Sequence, residues 1–382
     1  MKAKTSRRSE VPPFYAMEVL REANERAAAG EAVLHLEVGQ PSTAAPSAVI
    51  AAAKHALESH QLGYTEALGI GGLRQRIAGY YRATYGIEVD PARIVVTTGS
   101  SGAFMLSFLA AFDHGDRVAL AAPGYPAYRN ILQVLGLEPV SISTTLETRF
   151  QPTVDHLASL DRQVEGLIVA SPSNPAGTML SRKELGAVYG YCCDNGIRLV
   201  SDEIYHGITY GEAATTVLAF GDEAIVVNSF SKYFSMTGWR LGWMILPEVL
   251  LRPVERLAQN LFISPPTLPQ LAAQAVFDCK AELDGNVRRY AENRRVLLEK
   301  LPRAGFDNLA PADGAFYIYA DVSRLTNDSQ EFCRRMLAET GVAATPGIDF
   351  DPERGHRFLR FSFAGSAADI ATAADRLLAW RR

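Results

Sequence analysis

Short runs of aliphatic and β-branched residues alternate with helical stretches along the middle of the chain. This alternation is typical of a mostly parallel β-sheet whose strands are joined by crossover helices. The strand candidates share this apolar character and are Arg93–Thr98, Arg117–Ala121, Pro139–Ser143, Gly166–Ala170, Arg198–Ser201, Ala224–Asn228 and Leu241–Leu246. The last run follows its predecessor too closely for a crossover helix, so we expect it to pair antiparallel. The pattern predicts an α/β fold with a mostly parallel seven-stranded sheet between helices.

The flanking segments predict a second, smaller unit. Helix candidates between the strands are Gly102–Phe112, Ala127–Leu135 and Arg182–Asn195, the last preceded by a capping box of Ser181 and Glu184. A long polar helix is expected from about Glu282 to Leu301, with Pro302 marking its end. We expect residues 46–285 to form a large cofactor-binding domain and 286–382 a small α+β domain. Residues 1–45 are expected to form an N-terminal arm and part of that small domain.

Composition excludes several classes of protein. The 382 residues carry a formal net charge of −4, which gives no reason to expect nucleic-acid or membrane-surface binding. The four cysteines, Cys192, Cys193, Cys279 and Cys333, form no CxxC pair, so we expect apolar core residues and no metal site. The N-terminus lacks an apolar signal segment, and no apolar run approaches the length of a membrane span. We therefore expect a cytoplasmic protein.

Polar residues collect where the predicted parallel strands end. The four polar segments that follow strands are Gly99–Gly102, Ser171–Pro175, Asp202–Tyr205 and Ser229–Lys232. In open α/β sheets, ligands bind in the crevice beyond the carboxyl ends of the strands. The convergence of four such segments predicts a binding site at this edge of the sheet.

Lys232 is the residue at this edge with the most distinctive chemistry. It lies between a buried strand and an antiparallel one, with apolar flanks and with Arg240 eight residues further on. Desolvation and a cationic neighbour both lower the pKa of a lysine, and a partly neutral amine is what Schiff-base chemistry requires. Most lysines in loops are solvent-exposed, but these flanks favour a lysine that points into the protein.

The segment from Ser231-Lys232 to Met236-Thr237-Gly238-Trp239-Arg240 resembles the lysine motif of class I/II aminotransferases. These are pyridoxal-phosphate-dependent enzymes of fold type I, in the aspartate aminotransferase superfamily. The resemblance extends from about Val38-Gly39-Gln40-Pro41 to Arg360-Phe361-Ser362-Phe363, and it covers nearly the whole chain. Several motifs in the family's order are much more specific than one short match.

The resemblance implies a role for each matching residue around pyridoxal 5'-phosphate. Lys232 would form the Schiff base, and Asp202 would keep the pyridine nitrogen protonated so that the ring acts as an electron sink. Tyr205 and Asn174 would hydrogen-bond the phenolic oxygen of the ring, and Tyr125 would stack on its face. The peptide bonds Asn174-Pro175 and Ala122-Pro123 would both be cis.

The phosphate, the substrate and the partner subunit are expected to contact a further group of residues. Ser100 and Ser101 lie at the start of a predicted helix, where their amides and hydroxyls can bind the phosphate. Ser229 and Arg240 match the family's other phosphate ligands. Arg360 would grip the substrate α-carboxylate in a bidentate pair, with Gly39 approaching through its backbone. Tyr64 resembles the tyrosine that reaches the phosphate of the other subunit, which implies a homodimer.

These roles together predict an aminotransferase that exchanges an amino group between an L-amino acid and a 2-oxo acid. A lyase that performs β-elimination on the same scaffold remains an alternative, as does a non-catalytic ligand sensor. A ligand sensor is less favoured, because sensors on this scaffold carry an added DNA-binding segment. Here the resemblance begins before residue 40, so no such segment is expected. Phe14, Tyr15 and Phe262 are candidates for an apolar substrate pocket or for packing. The segment Pro346–Asp351 departs from the common Pro-Gly-Ser-x-Phe-Gly pattern, so the sequence does not specify the substrate.

Overall fold

The computed structural model describes residues 4–380 as an α/β protein built on two principal sheets. The strands, in chain order, are β1 Leu34–His35, β2 Ile94–Thr97, β3 Arg117–Ala122, β4 Glu138–Ser143, β5 Gly166–Ala170, β6 Arg198–Asp202, β7 Ile225–Ser229, β8 Gly242–Ile245, β9 Asn308–Leu309, β10 Tyr317–Asp321, β11 Val342–Ala343, β12 Thr345–Pro346 and β13 Phe358–Ser362. The helices are α1 Tyr15–Ala28, α2 Ser47–Ser59, α3 Gly71–Tyr85, α4 Gly99–Ala111, α5 Pro126–Leu135, α6 Val154–Ala158, α7 Arg182–Asp194, α8 Glu248–Leu261, α9 Thr267–Ala273, α10 Lys280–Arg303, α11 Ser329–Thr340 and α12 Ala367–Ala379.

The larger sheet has seven strands in the order β2-β8-β7-β6-β5-β3-β4. All neighbouring pairs are parallel except those of β8, which runs antiparallel to both β2 and β7. Apolar clusters cover both faces of this sheet, which explains why its central strands consist almost entirely of buried aliphatic residues. The predicted seven-stranded sheet and its antiparallel strand are confirmed.

The second sheet is antiparallel and has the order β12-β13-β10-β9. A separate two-stranded sheet pairs β1 with β11 in parallel. Its hydrogen bonds connect the N-terminal segment to the C-terminal part of the chain. Helices α10 and α12 pack against the same apolar cluster as strands β10 and β13. The carboxyl ends of the parallel strands in the large sheet face this second sheet, and the crevice between them contains the polar segments.

Three local expectations need correction. Helix α10 continues through Pro302 to Arg303 and ends one residue after the proline, whose nitrogen cannot donate to the preceding turn. Helix α4 begins at Gly99 rather than Gly102, so the Gly-Ser segment forms its first turn. Cys193 is exposed and Cys279 is only partly buried, so two of the four cysteines are not core residues. The capping box of Ser181 and Glu184 is confirmed.

The residues that the structure describes include no helix that is both long and apolar enough to cross a bilayer. The longest, α10, spans 24 residues and is rich in charged side chains.

Candidate functional site

A cavity of about 450 Å³ opens between the carboxyl edge of the large sheet, helix α1 and the second sheet. It brings together ten of the twelve site residues expected from the sequence. These are Gly39, Ser100, Ser101, Tyr125, Asn174, Asp202, Tyr205, Lys232, Arg240 and Arg360. Because these residues come from segments spread over more than 300 positions, only the fold places them together.

Lys232 lies in the turn between β7 and β8 and directs its amine into the cavity. Its Nζ donates a hydrogen bond to the Gly39 carbonyl oxygen at 2.6 Å. Burial lowers the pKa of this amine to about 8, with Arg360 and Arg240 acting in the same direction and Asp202 opposing them. An amine with this pKa is partly neutral at physiological pH and can act as a nucleophile or as a base.

Asp202 ends strand β6 and is almost completely buried, at 4% exposure. Its two oxygens accept hydrogen bonds from the Ile204 amide, at 3.1 Å, and from the Tyr128 hydroxyl. Burial raises the pKa of Asp202 to about 6, whereas the Tyr128 hydroxyl, the Ile204 amide and the charge of Lys232 lower it. A cation placed against this carboxylate in the cavity would further favour its ionised form.

The first turn of α4 forms a cradle for an anion. Ser100 and Ser101 line the cavity at the N-terminus of this thirteen-residue helix, where free amides and the helix dipole attract negative charge. A Cβ on Gly99 would lie 2.6 Å from Arg240 Nη2, so the glycine makes room for the guanidinium. Gly99 also has a φ of +72°, which other residues rarely adopt.

Arg360 on β13 is 2% exposed and faces the cavity from the second sheet. Its Nη1 donates to Asn174 Oδ1 at 2.9 Å, and its Nη2 donates to Thr345 Oγ1 at 3.1 Å and to the Glu37 carbonyl oxygen. The guanidinium also lies over the Tyr317 ring, 4.4 Å from the centroid. The Nε atom is buried and has no hydrogen-bond partner among the described residues. These contacts fix the orientation of the guanidinium and leave donor capacity for a carboxylate.

A pair of tyrosines links the two sheets at the floor of the cavity. The Tyr205 and Tyr317 hydroxyls lie 2.8 Å apart, with Tyr205 following β6 and Tyr317 beginning β10. A Cβ on Gly39 would lie 1.8 Å from the Tyr317 hydroxyl oxygen, so only glycine fits at this position. The Asn174-Pro175 and Ala122-Pro123 peptide bonds are both cis, as expected, and Ser171-Pro172 is a third.

The two remaining expected residues do not line the cavity of this chain. Tyr64 is 83% exposed on the surface. Ser229 is buried behind Ser231, to which its hydroxyl donates at 2.9 Å, and Ser231 itself lines the cavity. Of the three candidates for an apolar pocket, only Phe14 lines the cavity, whereas Phe262 packs near α8.

Sequence reasoning missed several residues of the site. Tyr128 holds Asp202 from helix α5, and Tyr317 supports both Tyr205 and Arg360. Both look like ordinary core aromatic residues in the sequence, and no local motif distinguishes them. Met17 and Leu20 also line the cavity; their spacing from Phe14 on one helix face is the only sequence signal that could have indicated this.

A second buried polar cluster lies directly behind Asp202. Glu203 Oε1 accepts hydrogen bonds from Thr216 Oγ1 and the Val217 amide, both at 2.9 Å. Its Oε2 has no hydrogen-bond partner among the described residues and lies 3.6 Å from His206 Nδ1. Burial raises the pKa of Glu203 to about 8. His206 is neutral because burial lowers its pKa to about 4, and its Nδ1 lies 2.8 Å from the Tyr85 hydroxyl.

The raised pKa of Glu203 predicts a specific pH dependence of stability. As pH rises above the ordinary glutamate value of 4.5, the unfolded chain releases this proton before the folded chain does, so the free energy of unfolding falls until about pH 8. Urea unfolding between pH 7 and 8, above the ordinary value of 6.5 at which His206 titrates in the unfolded chain, should show a steeper loss of stability in wild type than in Glu203→Gln. Parallel profiles for the two proteins would contradict the buried, protonated state.

Comparison with known proteins identifies the family. The model of the aminotransferase class I and II family matches residues 31–377. The chain is 53% identical to a valine–pyruvate aminotransferase of Mycobacterium tuberculosis, over 98% of this chain and 97% of the relative. A crystal structure of an aminotransferase from the same organism superposes with a TM-score of 0.97 at 52% identity, covering 99% of both chains.

More distant structures share the same fold. Aspartate aminotransferase from Thermus thermophilus, solved with maleate, superposes with a TM-score of 0.92 at 28% identity and 99% coverage of both chains. The cavity therefore lies in an architecture shared across this group of enzymes. The chain belongs to the class I and II aminotransferases, and it is a pyridoxal-phosphate-dependent enzyme that exchanges an amino group between an amino acid and a 2-oxo acid.

Proposed function

We propose that this aminotransferase takes its amino group from amino acids with apolar side chains and passes it to pyruvate. The charge balance of the cavity carries the proposal. Among the described residues that line it, the cations are Lys232, Arg240 and Arg360, and each has a task at the cofactor or at the substrate α-carboxylate. Phe14, Met17 and Leu20 give the cavity an apolar wall at α1, and the M. tuberculosis relative is named for valine and pyruvate.

The residues of the cavity fit pyridoxal phosphate. The space that Gly99 leaves beside Arg240, together with the first amides of α4, suits a phosphate dianion. We assign the phosphate to Ser100, Ser101 and Arg240, with Ser231 at the cavity wall and Ser229 holding Ser231 in place. When bound, pyridoxal phosphate supplies an electron sink that stabilises negative charge on the substrate Cα.

Several side chains would orient the cofactor ring. The Asp202 carboxylate, held by Tyr128 and the Ile204 amide, is assigned to the ring nitrogen. Tyr125 is assigned to the ring face, and its own ring is fixed by an edge-to-face contact with Tyr128 at 5.2 Å. Tyr205 and Asn174, which both line the cavity, are assigned to the phenolic oxygen.

Lys232 would carry out the proton transfers. Its Nζ atom, with a pKa of about 8, would accept the proton from the substrate Cα as a general base and, once protonated, would act as the general acid of the exchange. Arg360 binds the substrate α-carboxylate through donors that its fixed contacts leave available, and Asn174 and the Gly39 backbone flank the same group. Binding of the carboxylate by Arg360 would orient the Cα–H bond toward the Lys232 amine, and such orientation accounts for much of the rate acceleration in these reactions.

The substrate proposal is tested with purified enzyme and a panel of amino acids, using pyruvate as the acceptor. We expect kcat/KM for valine to exceed that for aspartate by about 100-fold or more, because a second carboxylate would lie against the apolar wall without a cationic partner. The Lys232→Ala variant serves as the control and should lose nearly all turnover with every substrate. Preference for aspartate would contradict the proposed substrate class. Ammonia release without added pyruvate would indicate a lyase instead.

We also propose that the enzyme is a homodimer in which Tyr64 reaches the phosphate site of the other subunit. Tyr64 is 83% exposed and lies in a loop joined to the segment after α8, where Thr267 Oγ1 donates to the Gly63 carbonyl oxygen at 2.5 Å. Ile263 in that segment is 52% exposed, and Leu261 at the end of α8 is 48% exposed. An exposed tyrosine beside exposed aliphatic residues favours a subunit interface.

Hybrid dimers test the crossing of Tyr64 directly. Tyr64→Phe alone should weaken cofactor binding about tenfold, because one hydrogen bond to a charged phosphate is lost. Mixing Tyr64→Phe with Lys232→Ala subunits should restore one wild-type site per hybrid dimer, since intact Lys232 and intact Tyr64 then meet across the interface. Under limiting cofactor, recovery of about half the wild-type activity per hybrid supports crossing. Activity no higher than the Tyr64→Phe sites can supply would contradict it.

We further propose that the chain is divided into a large domain, a small domain and an N-terminal arm. Residues 46–285 would form the large cofactor-binding domain, with 1–45 and 286–382 forming the arm and the small domain, of which residues 4–380 are described. The pairing of β1 with β11 and of β10 with β13 supports this division.

The proposed compartment is the cytoplasm, where an exposed free thiol such as Cys193 stays reduced.

A further inference from the structure

Helix α1 has no capping side chain at its own N-terminus. Phe14 occupies the N-cap position and makes no side-chain hydrogen bond to the helix. The missing acceptor comes from Asp349, whose two carboxylate oxygens accept from the Tyr15 and Ala16 amides, both at 3.1 Å. Asp349 is 2% exposed. A buried carboxylate from a segment more than 300 residues away therefore completes the first turn of α1.

Asp349 lies in the short segment 345–349, which also contains a hydrogen-bond partner of Arg360. Strand β12 precedes it and pairs with β13, where Thr345 lies opposite Arg360. The Thr345 hydroxyl accepts from Arg360 Nη2 at 3.1 Å, and the 3₁₀ turn Gly347–Asp349 follows directly. One short segment thus orients the arginine assigned to the substrate α-carboxylate and fixes the start of α1.

The start of α1 forms the apolar wall of the cavity. Phe14, Met17 and Leu20 line it at a spacing of three residues, which places them on one side of the helix. Phe14 also contacts Tyr125 edge-to-face, with ring centroids 5.9 Å apart. Met17 is 51% exposed, so this apolar side chain faces open space at the mouth rather than the core. An apolar surface held at this place suits the side chain of a bound amino acid.

We propose that Asp349 is a positioning residue for substrate selection, which fixes α1 so that Phe14, Met17 and Leu20 contact the side chain of the amino acid. The inference rests on the proposed preference for apolar amino acids. Asp349 acts through the helix and not on the reacting atoms. Its removal therefore reduces binding of substrates whose side chains reach the wall, and it affects alanine least, because a methyl group extends least toward α1.

The experiment compares valine and alanine as amino donors for the wild type, Asp349→Ala and Asp349→Asn. We expect Asp349→Ala to lower kcat/KM for valine about tenfold, mainly through KM, and to change the value for alanine by no more than about twofold. Asp349→Asn retains one acceptor oxygen and should recover much of the loss. Hydrogen exchange at the first turn of α1 should rise in Asp349→Ala and less in Asp349→Asn. Glu58→Ala, at an exposed acid on α2, is the control and should match wild type.

Direct substitutions in the wall keep the test independent of folding of the Asp349 variants. Met17→Ala and Leu20→Ala should lower kcat/KM for valine more than for alanine, with unchanged cofactor binding. Equal losses for both donors, in Asp349→Ala or in the wall variants, would overturn the inference while leaving the proposed function intact. A wild type that shows no preference for apolar donors over aspartate would overturn the proposed function, and the inference with it.

Discussion

Burying the Lys232 ammonium near the guanidinium groups of Arg360 and Arg240 costs free energy, and this cost dominates the electrostatics of the cavity. Burial, Arg360 and Arg240 all disfavour the charged amine, and Asp202 is the group that favours it. The sheet sets the positions of Asp202 and Lys232, because β6 pairs with β7 and their carboxyl ends lie at one edge. The loop that carries Lys232 is held by the hydrogen bond from the Phe230 amide to the carbonyl oxygen of Leu241, the residue before β8.

Contacts that cross between sheets hold the rest of the site around this amine. Lys232 reaches the backbone of Gly39, Arg360 reaches Asn174, and Tyr205 reaches Tyr317. Each contact joins a residue at the edge of the large sheet to one in the second sheet or in the segment after β1. The site therefore exists only when these parts pack together, and displacement of one part would disturb both the proposed cofactor contacts and the proposed substrate contacts.

The sequence predicts the large sheet well, because its strands are short aliphatic runs buried on both faces. It also predicts most residues of the cavity, since Lys232, Asp202, Asn174 and Arg360 lie in motifs with a fixed order along the chain. It does not predict partners that act through tertiary contact. Tyr128 supports Asp202 from a helix whose sequence shows only an amphipathic pattern, and Asp349 caps a helix more than 300 residues away. Such contacts depend on packing distances, which periodicity and local motifs do not encode.

The pKa of the Lys232 amine in the cofactor-free enzyme tests the central claim most directly. It can be measured by site-resolved mass spectrometry as the pH dependence of covalent modification of Lys232. The account predicts half-maximal reactivity near pH 8 in wild type. It also predicts a lower value in Asp202→Asn, because the carboxylate that favours the ammonium is removed. A value near 10.5, the ordinary value for lysine, with no response to Asp202→Asn, would contradict it.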